Sequence, residues 1–402
     1  MARQFVLSLD LGGAELKHVL FDLETGRMHR AHPNPRGPFY RLRGAADRRI
    51  LDTVLPKVGK TQRLSRHVRN ETARVLKRWR CPPDRVVAVG ISVAGKVFSN
   101  GRGRRAATFI GGNTPKRFAG RDRFGQAQIN VTGDLLELFP DPAVEVGIAN
   151  DCNCTGVAQA MVYEKLGHAP RQTFFITMGQ GFGGGGAFED VDEVGHMKVD
   201  GLHPALHLEC GCGEWNCIEA FASGTGFPKF TRRLLELRRT RPRTLDAVSE
   251  YERLGGRLDG DLAALIDASP LRKVKDLRAE HVFKHARLGH KRGDGFARYI
   301  VGRCAGMAGT IIASIANVHG LTVFGLGGGV ARHNPAYVGM MDEAANNVIG
   351  KASKFSPKRI TVELSPLGKV ANDYGPACLV VPDEHKPAWV QTMTDLARKM
   401  KR

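Results

Sequence analysis

Three glycine clusters, each placed straight after an apolar run, constrain this chain more than any other feature. They are Asp10-Leu11-Gly12-Gly13, the stretch Gly179 to Gly186, and the stretch Gly325 to Gly329. The runs before them, Phe5 to Leu9, Thr173 to Met178 and Leu321 to Phe324, read as strands. Small residues at a strand end let backbone N–H groups approach phosphate oxygens. One such corner is an ordinary hairpin turn, but the six glycines between Gly179 and Gly186 exceed what a hairpin needs. Three together suggest a cleft lined by backbone and fit for a nucleotide.

The rest of the pattern agrees with that reading. Val86 to Val93 is a β-branched run expected as a buried strand, and Val144 to Ala149 is a strand ending at Asn150-Asp151. Helices are expected over Leu64–Trp79, Thr155–Leu166 and Phe296–His319, and again from Ala388. Ile129–Phe139 reads as holding a short helix, Gly95–Arg105 as a polar turn, and Ile360–Leu364 as a further strand. Strands that end at Gly or Asp with a helix following indicate an α/β fold. The expected division is a small N-terminal domain, 1–124, completed by the C-terminal helix 388–402, and a larger domain, 125–387.

Composition narrows the function classes. Hydrophobic residues make up 42%, which excludes a disordered chain. The net charge of +20 sits mostly in residues 21–130, with 25 Lys and Arg against 7 Asp and Glu. That excess is either a solvated basic surface or a field that steers a polyanionic substrate. It comes with no recognition motif, so specific nucleic-acid binding is not expected. The start shows no signal-peptide pattern, and no apolar run is expected to reach the roughly 18 residues of a membrane span. A cytoplasmic protein without membrane contact is expected. Eight cysteines are too few for a disulfide scaffold.

Three of those cysteines, Cys210, Cys212 and Cys217, lie within eight residues. Soft thiolates with one imidazole suit a four-coordinate structural zinc. His196, His203 and His207 are all available as the fourth ligand, with His196 favoured and His207 the alternative. Cys152 and Cys154 have no histidine close by and read as packed thiols. Asp151, at a strand end, can accept a proton from a substrate hydroxyl, or it belongs to a helix cap. Asp10 can hold a magnesium ion or its waters. Asn113 is either a turn residue or a contact for a sugar hydroxyl.

Glu193, Gly195, His196, then Cys210, Cys212, Gly213, Cys217 and Glu219, form a pattern that resembles the ROK family of sugar kinases. The resemblance runs from Asp10 to about Gly375. It implies the actin-like ATPase (ribonuclease H-like) fold, with two α/β domains around a cleft. It also implies phosphoryl transfer from magnesium-bound ATP to a hexose, most readily glucose at its 6-hydroxyl. N-acetylhexosamine, mannose or fructose are alternative acceptors, polyphosphate is an alternative donor, and a non-catalytic sugar-binding protein is a further alternative. By that resemblance Asp10, Gly12, Gly13 and Lys17 match a first phosphate loop, and Gly179, Gly181 and Gly183 a second. Gly327, Gly328 and Gly329 match the adenosine side. Asp151 matches the catalytic base, and Asn113, Asn150, Glu193, His196 and Glu219 match sugar contacts. A homo-dimer or homo-tetramer is implied as well. Departures from the family pattern are Ala14 for a threonine, Asp192 for a glycine, and Asn216 for the second glycine of the cysteine motif. The loop at Asn113 lacks the family's tryptophan. About four extra residues lie between His196 and Cys210, and they bring in His203 and His207.

Overall fold

A computed structural model describes residues 4–11, 16–30, 61–93, 95–98, 108–111, 120–121, 127–130, 132–139, 141–187, 193–290, 292–349, 357–368 and 370–400. The chain forms two compact α/β units. The first comprises Met1–Pro170, Gly185–Asp192 and Lys369–Arg402, and the second Arg171–Gly184 and Glu193–Gly368.

The chain opens with the hairpin β1 (Phe5–Leu11) and β2 (Leu16–Asp22), then β3 (Met28–Arg30) and helix α1 (Thr61–Arg78). Strand β4 (Val86–Val93) is followed by β5 (Gly95–Phe98), β6 (Thr108–Gly111), β7 (Gly120–Arg121), β8 (Ala127–Asn130) and α2 (Gly133–Leu136). Strand β9 (Glu145–Asn150) leads directly into α3 (Asp151–Lys165). The main sheet has the order β3-β2-β1-β4-β9, and β5-β6-β8-β7 form a smaller sheet. Strands β1, β4 and β9 are parallel neighbours. Seven of the eight residues of β4 are buried, which is why it reads as one apolar run: both faces of a central parallel strand are covered. The turn expected over Gly95–Arg105 instead begins as β5. The helix expected within Ile129–Phe139 is only the four residues of α2.

In the second unit, β10 (Thr173–Met178) and β11 (Phe182–Gly186), whose last two residues count with the first unit, precede the cysteine loop. Then come α4 (Glu219–Ala222), α5 (Gly226–Thr240), α6 (Pro242–Leu254), α7 (Leu262–Ala268), α8 (Ala279–Ala286) and α9 (Gly295–His319). Strand β12 (Val323–Gly327), helices α10 (Gly328–His333) and α11 (Pro335–Ile349), and strand β13 (Thr361–Leu364) complete it. The sheet order is β11-β10-β12-β13, with β10, β12 and β13 parallel. Helix α9 starts where the Asp294 side chain accepts from the Phe296 N–H (3.1 Å) and stops at Gly320 in the left-handed conformation. Against the expectation of no membrane-length segment, α9 has the length and hydropathy of one. Yet 72% of its most apolar window is buried inside the protein, as in a core helix.

Helices α12 (Val370–Cys378) and α13 (Lys386–Met400) return to the first unit. Trp389 is fully buried and donates its Nε1–H to the Leu23 carbonyl (2.7 Å), and the Tyr374 hydroxyl donates to the Gly26 carbonyl (2.8 Å). Both rings stack against Phe21, at 5.2 and 4.5 Å between centroids. This aromatic cluster fastens the end of the chain to its first hairpin.

Candidate functional site

In the first unit the candidate residues gather at one edge of the main sheet. Register places Asp10 opposite Ser92, and Val93 opposite Asn150, so Asp10 and Asn150 stand at the carboxyl ends of parallel strands. Open α/β sheets bind ligands at that edge. The Asp10 carboxylate accepts a hydrogen bond from the Ser92 hydroxyl. Lys17 lies directly across from Asp10 on β2, and its ammonium pairs with Asp373 of α12. Nothing in the sequence around Asp373 marks it; only the return of α12 to this sheet places it there.

The helix expected to begin near Thr155 begins at Asp151, which has a physical cause. The Asn150 side chain accepts from the Cys152 N–H (2.8 Å) and caps α3, leaving the Asp151 side chain exposed in the first turn. An acid there complements the helix dipole. Asp151 Oδ1 also accepts from the Cys152 N–H (2.8 Å). That first turn is clamped by backbone: a Cβ on Gly185 would stand 2.5 Å from the Asn153 nitrogen and 2.6 Å from its Cα.

In the second unit the glycine stretch is not one loop. Gly179–Gly181 is a tight turn, and Phe182–Gly186 is strand β11 beside β10. A connection this short joins antiparallel neighbours, so the stretch is a hairpin after all. The turn is stapled by the segment after α4. Gly224 N–H donates to the Gly179 carbonyl (2.8 Å), and both the N–H and the hydroxyl of Thr225 donate to the Gln180 carbonyl (3.1 and 2.9 Å). Gly327 ends β12, and Gly328 and Gly329 open α10.

Glu219, the first residue of α4, links this hairpin to the cysteine loop. One carboxylate oxygen accepts from the Phe182 N–H (3.0 Å), and the other lies 3.8 Å from Cys210 Sγ. Gly195 passes so close to β11 that a Cβ there would sit 1.8 Å from the Phe182 carbonyl oxygen. That contact accounts for the glycine of the Glu193–His196 motif. Glu193 takes a left-handed conformation, and its carboxylate lies 3.5 Å from His196 Nε2.

The opposite imidazole nitrogen of His196 faces the cysteines. Cys210 Sγ is 3.7 Å from His196 Nδ1, Cys212 Sγ is 3.8 Å from Cys217 Sγ, and all four ligand atoms lie within 4.8 Å of one another. A tetrahedral zinc with Zn–S near 2.3 Å sets its sulfurs about 3.8 Å apart, so the donor set fits that ion. The loop reaches this shape because Gly213 and Asn216 take positive φ, 90° and 60°. Asn216 then exchanges hydrogen bonds with the Leu208 backbone. Burial pushes the Cys210 thiol up to about 12 and the Cys217 thiol up as well, so a bound cation would be needed to hold them as thiolates.

The two extra histidines have other surroundings. His203 Nδ1 accepts from the Ala205 N–H (3.1 Å), and its ring meets Tyr251 edge-on at 5.7 Å. The longer segment is anchored by buried Leu202, Leu206 and Leu208. Arg303 donates to the Gly201 carbonyl and Arg233 to the Ala205 carbonyl, both at 2.8 Å. His207 caps the same short turn as Leu206 and does not belong to the four-atom cluster. Gly12, Gly13, Ala14, Asn113 and Asp192 lie outside the described residues, as does much of the basic segment 21–130.

The ROK family pattern matches residues 60–381 of this chain. An N-acetyl-D-glucosamine kinase of Vibrio vulnificus is 35% identical over 98 residues, covering 20% of this chain and 31% of that protein. An N-acetylgalactosamine kinase of a Shewanella species is 30% identical over 151 residues, covering 34% of this chain and 42% of that protein. The matched stretches thus span less than half of these curated relatives. The crystal structure of a ROK family glucokinase from Streptomyces griseus, in complex with glucose and AMPPNP, superimposes with a TM-score of 0.52. That match covers 98% of this chain and 99% of the other at 20% identity, a likeness of fold. With the family pattern spanning most of its length and the cysteine motif built as described, the chain belongs to the ROK family.

Proposed function

We propose that this protein is a sugar kinase that transfers the terminal phosphoryl group of ATP to a hydroxyl of an N-acetylhexosamine. The observation that carries the reading is the pair Asp10 and Asp151. Asp10 stands at the carboxyl end of β1 and Asp151 directly after the carboxyl end of β9, and those two parallel strands, separated by β4, lie roughly 10 Å apart across the sheet. One carboxylate suits the phosphate–magnesium side and the other the acceptor hydroxyl, the division of labour that phosphoryl transfer requires. Glucose is the acceptor that the motif alone favours. The names of the related kinases move the weight to an N-acetylhexosamine.

In this mechanism Asp151 orients the acceptor hydroxyl and takes its proton as the oxygen forms a bond to the terminal phosphorus. The bond from that phosphorus to the bridging oxygen breaks, and ADP leaves with the electron pair. Asp10, set by Ser92, and Lys17, set by Asp373, serve the donor phosphates. The family pattern gives the Gly179–Gly181 turn a phosphate role as well. Gly327, Gly328 and Gly329 serve the adenosine side. Magnesium, when bound with the donor, neutralises phosphate charge. Glu193, His196 and Glu219 hold acceptor hydroxyls. Zinc would be held by His196, Cys210, Cys212 and Cys217, and its chemistry is structural, fixing the loop between Glu193 and Glu219.

The test is a turnover screen of the purified protein. N-acetylglucosamine, N-acetylmannosamine, N-acetylgalactosamine, glucose, mannose and fructose are offered with ATP, then with polyphosphate. An N-acetylhexosamine should give the highest kcat/KM, and a higher value for glucose would reverse the acceptor assignment. Asp151→Asn should lower kcat by about 10²- to 10⁴-fold with little change in KM. No turnover on any sugar would sink the kinase reading, and equal turnover by the variant would sink the role of Asp151.

A further inference from the structure

Lys198 lies against the cysteine cluster but belongs to none of the motifs above. An isolated antiparallel bridge sets it opposite Cys217. Its ammonium sits 3.7 Å from Cys217 Sγ, and it donates to the Trp215 carbonyl (2.9 Å) and to Glu214 Oε2 (3.1 Å). The Glu214 pair is half-exposed on one side and open on the other, so it contributes little by itself. The sulfur contact matters more. Three thiolates and a neutral imidazole around a divalent cation leave one net negative charge. The Glu219 carboxylate, 3.8 Å from Cys210 Sγ, adds another. Among the described residues Lys198 is the cation that reaches a cluster sulfur.

We propose that Lys198 is a positioning residue of the metal centre, donating an N–H···S bond to the Cys217 thiolate and offsetting the excess negative charge of the loaded cluster. The proposal rests on the metal reading. A partner that both hydrogen-bonds a ligand atom and balances the site charge tunes affinity, and removing such partners typically costs 10–100-fold.

The experiment uses the full chain loaded with zinc, and in parallel with cobalt(II), comparing wild type with Lys198→Met, Lys198→Gln and Lys198→Arg. Metal retention is read by competition with a chromophoric chelator, and the sulfur-to-cobalt charge-transfer band by absorption. Lys198→Met and Lys198→Gln should each hold zinc ~10-fold more weakly, at unchanged stoichiometry, with the band moved to longer wavelength. Lys198→Arg, which keeps charge and donors, should stay close to wild type. Zinc retention in both neutral variants within about twofold of wild type, with unmoved bands, overturns the proposal. So does an equal loss in Lys198→Arg, the mark of a packing role. A wild-type chain that takes up neither ion overturns the metal reading itself, and the proposal with it.

Discussion

Cys152 and Cys154 have the same one-residue spacing as Cys210 and Cys212, yet of the two only the second pair belongs to a cluster whose donors could hold a metal ion. The difference is backbone. Cys152 and Cys154 lie in the first turn of α3, where residues two apart point about 200° away from each other around the helix axis. Cys154 Sγ turns inward and reaches the carbonyls of Ala149 (3.6 Å) and Ile91 (3.8 Å). Cys210 and Cys212 lie in a loop that doubles back through positive φ at Gly213 and Asn216, which returns Cys217 to them. Spacing alone therefore does not identify a metal site; a chain reversal that brings in a third and fourth donor does.

The largest effect that could break this comparison is on bound metal. Cys217→Ala should abolish stoichiometric zinc, measured by atomic emission after gel filtration, whereas Cys154→Ala should retain it in full. Zinc retained by the first variant, or lost from the second, would overturn the contrast. Next in size, His196→Ala should lose most of its zinc, while His203→Ala and His207→Ala should keep theirs. His203 caps a short turn and packs its ring on Tyr251 of α6, and His207 ends that turn.

A smaller, separable effect is expected at the other pair. Gly185→Ala presses a methyl group onto the Asn153 backbone, which cannot turn aside as a side chain would. The overpacking should cost about 1–3 kcal/mol in urea denaturation. By displacing the first turn of α3 it should also slow the proposed phosphoryl transfer, because Asp151, the base in that proposal, rides on that turn. Zinc content should not change. A variant that lost zinc as readily as activity would show that the two cysteine regions are not independent.

Much of this was legible in the residues. β-branched and apolar runs marked β1, β4, β9 and β10, most plainly β4 and β10, because a strand buried on both faces tolerates little else. The cysteine loop was legible because three thiols so close together have few other uses. Other features were not. Gly179–Gly186 reads as a long loop, but glycine is rare in strands for want of a side chain to pack, and here β11 has backbone lying against it. Likewise Asp151 as a helix start is visible only once Asn150 is known to cap it. Asp373 and Lys198 were beyond reach, since each acquires its meaning from a partner distant in sequence or across a loop. Among three histidines the motif favoured His196, with His207, nearer in sequence, as the alternative, and the structure brings His196 to the three thiols.

The smallest expected effect is an absence of reactivity, and it sharpens the comparison furthest. Burial, and after it the neighbouring charge of Asp151, holds the Cys154 thiol well above the ordinary range. A raised thiol pKa means less thiolate at any given pH, and the thiolate is the nucleophile. A peptide cysteine gains roughly 25-fold in thiolate between pH 7 and pH 9. Cys154, held well above that range, keeps a negligible thiolate fraction at both pH values in the folded chain. Peptide mapping after brief alkylation would then show Cys154 unmodified at both pH values, with or without zinc, and modified only after unfolding. Cys212, exposed in the loop, should be alkylated in metal-free protein and shielded by added zinc. If Cys154 in the native chain were modified at a rate comparable with that of a free peptide at either pH, the helical pair would be an accessible dithiol. The structural distinction between the two Cys-x-Cys pairs would then fail at its root, because it rests on α3 holding Cys154 against Ala149 and Ile91.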